Sequence, residues 1–342
     1  MGFEPTARVP LARTGLRITR LGFGCAEIGG LYSPVSDAQA VDLLDHAWDL
    51  GIRYFDTAPL YGYGNAERRL GAALAARPRE ELVVSTKVGR LLVPRDEVPP
   101  DADLDRQSDG AADDAFYADT PPVRVVFDYS PDGVRRSVEE SLGRLGLDRA
   151  DILFIHDPDD HWREAIGGAY PALERLRGEG VVRAIGVGIK QTRLLARFAR
   201  EGDFDVFMLA GRYTLLDQSA LRELLPLCVE KRIAVIAVGI MNSGLLADPR
   251  PGGRFDYLPA SRDALERALR MRSICERHGV PLRAAAIQFP LAHPAVAAIA
   301  SGVRTRQHLD EYPEFLARHI PAGLWEELKL EGLLDPAAPV PG

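Results

Sequence analysis

Tyr54-Phe55-Asp56-Thr57-Ala58-Pro59-Leu60-Tyr61-Gly62-Tyr63-Gly64 reads as a short buried strand that stops at Asp56 and opens into a glycine-bearing loop carrying Tyr61. Two other polar residues close apolar runs in the same way. Lys87 follows Leu82-Val83-Val84-Ser85-Thr86, and His156 follows Ile152-Leu153-Phe154-Ile155. A charge or an imidazole just past an apolar strand is costly to bury unless it has a partner. Strands lying side by side and parallel bring Asp56, Tyr61, Lys87 and His156 to one rim, where they can pair.

Outward from this stretch, strand and helix patterns alternate. Residues 5–20 read as a hairpin turning at Arg13-Thr14-Gly15-Leu16, and 18–25 as the first strand. Ser36 with Gln39 forms a capping box ahead of Val41, Leu44, Ala47 and Trp48 at helical spacing, and Asn65 is expected to cap the next helix. Ser130-Pro131 opens a helix striped by Val134, Val138, Leu142 and Leu145. Further strands are expected at 151–155, 183–188, 206–210, 234–238 and 296–300. Helices are expected at 171–177, 192–199, 219–230, 262–278, 281–291 and 325–330. Between 91 and 128 the period breaks among Pro94, Pro99, Pro100, Pro121 and Pro122, which reads as a structureless functional loop.

Eight strands alternating with helices over 342 residues, with no linker, predict one closed α/β barrel of the (β/α)8 TIM type spanning 1–342. It carries an N-terminal β-hairpin and, after the third strand, the 91–128 insertion on the substrate side. A doubly wound sheet needs a third glycine after Gly22-Phe23-Gly24, and Glu27 stands there instead. In such barrels catalytic groups come from the C-terminal ends of strands. Asp56 ends the second, Lys87 the third and His156 the fourth.

Composition narrows the function classes. The net charge of -7 is spread over interspersed signs with no basic stripe, which argues against a nucleic-acid partner. No apolar run approaches ~18 residues, so no membrane span is expected. Met1–Arg13 lacks an apolar core for a signal peptide, which points to the cytoplasm. Met1-Gly2 with Thr6 fits the myristoylation pattern only formally, since nothing polybasic accompanies it. Cys25, Cys228 and Cys275 each sit in an apolar segment and read as buried free thiols of a reducing compartment. No metal site is expected.

Tyr61 can both give and take a proton in an alcohol–carbonyl interconversion. Its ordinary pKa, about 10, is too high for easy proton removal at neutral pH, and a neighbouring Lys87 ammonium is expected to lower it. Asp56 would hold Lys87 charged, and His156 would orient the substrate oxygen. This is general acid–base catalysis with an electrostatic relay, and it calls for a nicotinamide beside it. Singly, each residue has an ordinary explanation as a packing tyrosine, a satisfied ion pair or a structural imidazole. Convergence at successive strand ends favours chemistry.

Phe55–Gly62, Ser85-Thr86-Lys87-Val88-Gly89, Ile155-His156 and Arg183–Gly188 together resemble the aldo-keto reductase superfamily over essentially the whole chain. Residues 151–161, 210–218 and 242–246 are similar to its sugar 1-dehydrogenase branch, which includes L-fucose or D-threo-aldose 1-dehydrogenase, plant L-galactose dehydrogenase and pyridoxal 4-dehydrogenase. The resemblance implies that Tyr61 is the acid/base of a tetrad completed by Asp56, Lys87 and His156. It implies a cofactor lying across the rim, held by the loops after the seventh and eighth strands. The positions it implies for that role are Gly24, Asp56, Lys190, Arg212, Gly239, Ile240, Asn242, Ser243, Leu245, Gly302, Arg304, His308 and Glu311.

Three positions depart from the family's pattern. Gly188-Ile189-Lys190 stands where many relatives have Ser-Asn, Val238 where a tyrosine often stacks on the nicotinamide, and Tyr312 where an asparagine often meets adenine. Arg304, Arg306 and His308 could meet a 2′-phosphate and select NADP. Otherwise they are solvated charges and NAD is used, the reading preferred here. The implied reaction is oxidation of a sugar's anomeric hydroxyl to a lactone. The pocket is expected to be walled by Tyr32, Leu60, Arg90, His156, Asp157 and the insertion, with His161 and Trp162 just beyond. Arg90 and Asp157 could instead form a rim salt bridge. Pyridoxal oxidation, broad NADPH-dependent aldehyde or ketone reduction, and a non-catalytic nucleotide-sensing subunit are the alternatives.

Overall fold

A computed structural model describes residues 2–105 and 116–342. In chain order its strands are β1 (Arg8–Pro10), β2 (Arg17–Thr19), β3 (Leu21–Gly24), β4 (Tyr54–Asp56), β5 (Val83–Val88), β6 (Arg90–Pro94), β7 (Val123–Phe127), β8 (Ile152–His156), β9 (Ala184–Ile189), β10 (Val206–Ala210), β11 (Ala234–Val238), β12 (Arg254–Phe255), β13 (Leu258–Pro259) and β14 (Val296–Ser301). Eight of them close into a parallel barrel in the order β10-β11-β14-β3-β4-β5-β8-β9. Register sets the rim: Gly24 pairs with Asp56, Asp56 with Ser85, and His156 with Gly188.

Alternation along the strands divides the side chains. Tyr54, Val83, Ile152, Phe154, Val206, Met208, Ile236 and Ala298 fill the barrel interior, and Leu11, Leu16 and Ile18 of the N-terminal hairpin join the same cluster. Phe55, Val84, Leu153, Val187, Phe207 and Val235 belong to the larger cluster shared with the helices. Gly22 is required inside, because a Cβ there would lie 2.3 Å from the Tyr54 ring.

Local signals account for several helix ends. Ser36 and Gln39 close a capping box on helix Asp37–Asp49. Ser130 accepts from the Gly133 N–H at the start of Pro131–Leu145, which Gly146 ends in a left-handed conformation. Other expectations need correction. Gly64, not Asn65, is the N-cap of Asn65–Leu74, and the Asn65 side chain donates instead to the Asp119 carbonyl at 3.1 Å. The helix expected from 219 begins at Leu224, because Asp217 and Thr214 hold 214–219 in a hydrogen-bonded turn. Arg306–Ala317 is a helix where a loop was expected, capped by the Thr305 hydroxyl despite an internal Pro313.

The 91–128 stretch is not structureless. Strands β6 and β7 form an antiparallel ladder from Arg90↔Phe127 to Pro94↔Val123. Leu91, Val93 and Val126 give it a small core of its own, with Val98, Ala102 and Leu104 against it. The 106–115 part of that stretch lies outside the described residues. The three cysteines are free and buried. Among the described residues, no helix is long and apolar enough to cross a membrane, and no His/Cys/Asp/Glu group could hold a metal ion.

Candidate active site

Asp56, Tyr61, Lys87 and His156 meet at the C-terminal mouth of the barrel. Lys87 Nζ donates to Asp56 Oδ2 at 2.7 Å and to the Thr57 carbonyl at 2.9 Å. The other oxygen of Asp56 accepts from Ser85 Oγ at 2.7 Å, and Ser85 in turn lies 3.0 Å from the Tyr54 hydroxyl. Lys87 is only 2% exposed, so this carboxylate and ammonium neutralise each other away from water. The ammonium sits 4.7 Å from the centre of the Tyr61 ring, and the His156 ring meets that ring edge-on at 5.9 Å.

The electrostatics correct one expectation. Burial pushes the Tyr61 phenol well above its ordinary range, and Asp56, Tyr117, Tyr257 and Asp157 add to the shift. The Lys87 charge is engaged by Asp56, so it does not outweigh desolvation. Tyr61 therefore rests as a neutral phenol, a proton donor. His156 is held well below the ordinary histidine range by burial and by the positive charges of Arg90 and Lys87, so its imidazole is neutral. Its Nδ1 is buried with no hydrogen-bond partner, and its Nε2 lies 3.5 Å from Asp157 Oδ2.

The expected substrate walls separate into two groups. Arg90 is buried, and its guanidinium is engaged: Nε donates to Asp105 at 2.8 Å and Nη1 to the His156 carbonyl at 2.8 Å. Its distance to Asp157 is 3.7 Å, so the rim salt bridge is longer than the pair with Asp105. Asp157 keeps its side chain 37% exposed. Burial raises the pKa of that carboxyl. Leu60 is partly buried, and Tyr32 is 46% exposed. His161 and Trp162 are engaged elsewhere. His161 pairs with Asp103 at 2.7 Å, and Trp162 packs on Phe198 under the Arg197 guanidinium.

Sequence reasoning missed an aromatic canopy. Phe116 meets Tyr32 and Tyr257 edge-on at 6.4 and 5.9 Å, and Tyr117 lies 6.3 Å from Tyr61 and 6.4 Å from Tyr63. The Tyr32 N–H donates to the Phe116 carbonyl at 2.7 Å, and the Ala118 N–H to the Gly30 carbonyl at 3.0 Å, which joins the insertion to the loop after β3. The available signal was large aromatics in otherwise polar loops at 116–117 and 257.

The residues expected to hold a cofactor stand at or after the C-terminal ends of β3, β4, β9, β10, β11 and β14. After β11, Asn242, Ser243 and Gly244 take successive left-handed conformations with φ of 46, 56 and 93°. Such backbone is strained for Asn and Ser; the Asn242 and Gly244 N–H groups close turns onto the Gly239 and Met241 carbonyls at 2.9 and 3.0 Å, which leaves the Ser243 N–H between them as the donor that could meet an anion. The Asn242 amide donates to the Gly211 carbonyl at 3.3 Å while its Oδ1 is buried without a partner. Gly239 lies against Gly211, where a Cβ would come within 3.3 Å of its nitrogen. Ile240 and Leu245 point into the core, so only their backbones are available. Arg212 pairs with Asp256 and Asp217, and the Lys190 ammonium lies 5.2 Å from the centre of the Tyr257 ring. Gly24 approaches Gly302, where a Cβ would meet Glu27 at 2.7 Å. Arg304 pairs with Glu27 and Ser33, Arg306 with Asp42, and Glu311 with Arg283. His308 is exposed in the first turn of its helix. Tyr312 is buried, with its hydroxyl 2.5 Å from Ser301 Oγ, and Val238 ends β11.

The chain is similar in sequence and in fold to known proteins. Residues 20–329 match the profile of the aldo/keto reductase family. The chain is 46% identical to a D-threo-aldose 1-dehydrogenase of a Pseudomonas species, covering 95% of this chain and 96% of that protein. It is 40% identical to the pyridoxal 4-dehydrogenase of Microbacterium luteolum, covering 98% and 100%. Its fold superimposes on the holo form of an aldo-keto reductase from Bacillus halodurans with a TM-score of 0.74 at 24% identity, covering 97% of each chain.

Proposed function

Because the chain belongs to the aldo/keto reductase family and is therefore an oxidoreductase of the nicotinamide-dependent kind, we propose that it oxidises a cyclic hemiacetal at its anomeric carbon to a lactone. The observation that carries the reading is the buried Lys87–Asp56 pair beneath the Tyr61 ring, with neutral His156 at its edge. A hemiacetal carbon bears both a hydroxyl and a hydrogen, so losing a proton and a hydride leaves the ring carbonyl of a lactone with atoms and electrons balanced. Tyr61, in its ionised form, accepts the hydroxyl proton. His156 donates a hydrogen bond to the same oxygen and fixes its orientation. Lys87 steadies the negative charge that the ionised Tyr61 oxygen carries before it takes that proton, and Asp56 keeps the ammonium in place.

Two features of the rim suit a nicotinamide dinucleotide: the Ser243 N–H stands in a strained left-handed turn, and the buried Asn242 Oδ1 lacks a partner. Gly239, Asn242 and Ser243 would hold its phosphates, and Lys190, Arg212 and the Ile240 and Leu245 backbones would border it. When bound, it supplies the acceptor for the hydride. NAD is favoured over NADP, because Glu27 and Asp42 already neutralise Arg304 and Arg306 and would repel a 2′-phosphate. His308 and Glu311 would border the adenosine. Three buried free thiols suit a reducing cytoplasm.

Asp157 at the mouth suits a polyhydroxylated ring, so an aldose of the L-fucose, L-galactose or D-arabinose type is the preferred substrate. The canopy of Tyr32, Phe116, Tyr117 and Tyr257 gives pyridoxal, a flat ring, as the second reading. Reduced-nicotinamide absorbance is followed with L-fucose, L-galactose, D-arabinose, pyridoxal and simple aldehydes, each with NAD and NADP. Turnover of a sugar with NAD, and a lactone as product, supports the proposal. Activity confined to pyridoxal selects the second reading. Reduction of simple aldehydes by NADPH alone, or tight nucleotide binding without turnover of any compound, refutes it.

A further inference from the structure

Two side chains at the two borders of the insertion converge on one atom, the main-chain oxygen of His156. Arg90 Nη1 donates to it at 2.8 Å, and the Tyr129 hydroxyl donates at 2.9 Å. The barrel explains why that oxygen is available. On the β5 side the ladder ends at Val88↔Ile155, one residue short of His156. A carbonyl oxygen accepts two hydrogen bonds, and here both donors come from the base of the β6–β7 hairpin, Arg90 opening β6 and Tyr129 following β7.

Arg90 is itself held from the insertion. Its Nε donates to Asp105 at 2.8 Å, both side chains are about 5% exposed, and the guanidinium lies 4.9 Å from the centre of the Phe127 ring. The Asp105 N–H is tied to the Val125 carbonyl at 2.9 Å. Burying such an ion pair seldom adds net stability over apolar packing, so its presence asks for a positional reason. The next residue supplies one: Asp157 takes φ 38°, a strained backbone that persists only where its surroundings hold it.

We propose that Arg90, Asp105 and Tyr129 form a clamp on the His156 carbonyl that positions the His156 ring and aims the Asp157 carboxylate at the mouth. The insertion is then a working part of the active site as well as a wall over it. Arg90, Asp105 and Tyr129 act through His156 and are positioning residues. The groups facing the His156 ring are Lys87, Arg90, Asp157 and Tyr61, with Asp56 behind Lys87 and Asp105 behind Arg90. Arg90 thus also supplies one of two positive charges that keep the ring neutral.

The test uses the full-length chain with Arg90→Met, Arg90→Lys and Tyr129→Phe. The kinetic arm rests on the dehydrogenase reading; the spectroscopic arm does not. In histidine-labelled protein without nucleotide, Arg90→Met raises the midpoint of the His156 ring titration toward the ordinary value, and Arg90→Lys returns it part of the way. Tyr129→Phe leaves the midpoint in place and shifts the His156 carbonyl carbon resonance. In turnover, kcat falls roughly tenfold for Tyr129→Phe and roughly a hundredfold for Arg90→Met, the range seen when a supporting contact is removed from a functional ligand. The acid limb of the Arg90→Met profile moves up with the ring midpoint. Folded variants with an unmoved His156 midpoint and carbonyl resonance overturn the clamp. If Arg90→Met does not fold, Tyr129→Phe decides alone, since it removes a single hydroxyl. Absence of turnover in the unaltered protein refutes the reaction proposed above, and the resonances still decide the clamp.

Discussion

Replacing Lys87 by Met should separate its structural from its chemical contribution. The substitution leaves Asp56 buried with Ser85 as its one remaining side-chain donor. Breaking a buried pair by removing one partner costs about 3–5 kcal/mol. Unfolding entropy of roughly 2.1 cal/mol/K per residue, over a chain of 342 residues, converts that to a drop of about 4–7 °C in Tm. The chemical effect follows from the 4.7 Å between the ammonium and the Tyr61 ring. A unit charge at about 5 Å and an effective dielectric of about 20 is worth about 3 kcal/mol. Asp56 opposes part of it, so about 1–3 kcal/mol remains, or roughly fivefold to somewhat over a hundredfold in kcat. Asp56→Asn combined with Lys87→Met removes both charges and should recover most of the Tm while leaving kcat low. Thermal melts by circular dichroism and nicotinamide-linked turnover read the two effects. A Lys87→Met protein melting within 1 °C of the unaltered chain and turning over within threefold would refute the buried relay. So would a double variant less stable than either single one.

Tyr61→Phe should lower turnover by several orders of magnitude while nucleotide affinity, followed by protein fluorescence, changes less than twofold; near-normal turnover removes the phenol from the reaction. With the Tyr61 phenol raised above its ordinary range and neutral at pH 7–9, oxidation should quicken about tenfold per pH unit across that interval. Reduction, which needs the protonated form, should stay level there, and an oxidation plateau below pH 8 contradicts the assignment. Gly22→Ala drives a methyl group against the Tyr54 ring, and overpacking of this kind costs about 1–3 kcal/mol; an unchanged melting curve would show that the interior yields.

The barrel was legible because most of its strands carry apolar runs, and the meeting of Asp56, Lys87 and His156 at one mouth because each follows such a run. The β6–β7 ladder was not, since its prolines and aspartates mask a core of three residues, Leu91, Val93 and Val126. Helix Arg306–Ala317 was hidden by Pro313, although Thr305 stands at its cap. The partner of Arg90 lies 15 residues on, and only tertiary register decides between Asp105 and the open mouth. The sign of the Tyr61 shift depends on how deeply its neighbours are enclosed. A list of nearby charges carries no such information.

The apolar stopper made by Leu11, Leu16 and Ile18 gives the barrel a sealed floor. The chain of hydroxyls from Asp56 through Ser85 to Tyr54 runs down toward it and ends among hydrocarbon. It is a blind alley, unable to carry protons through to the far side. In the proposed reaction, the protons that Tyr61 exchanges with bulk water would have to leave upward, past Tyr117 and the Tyr257 ring.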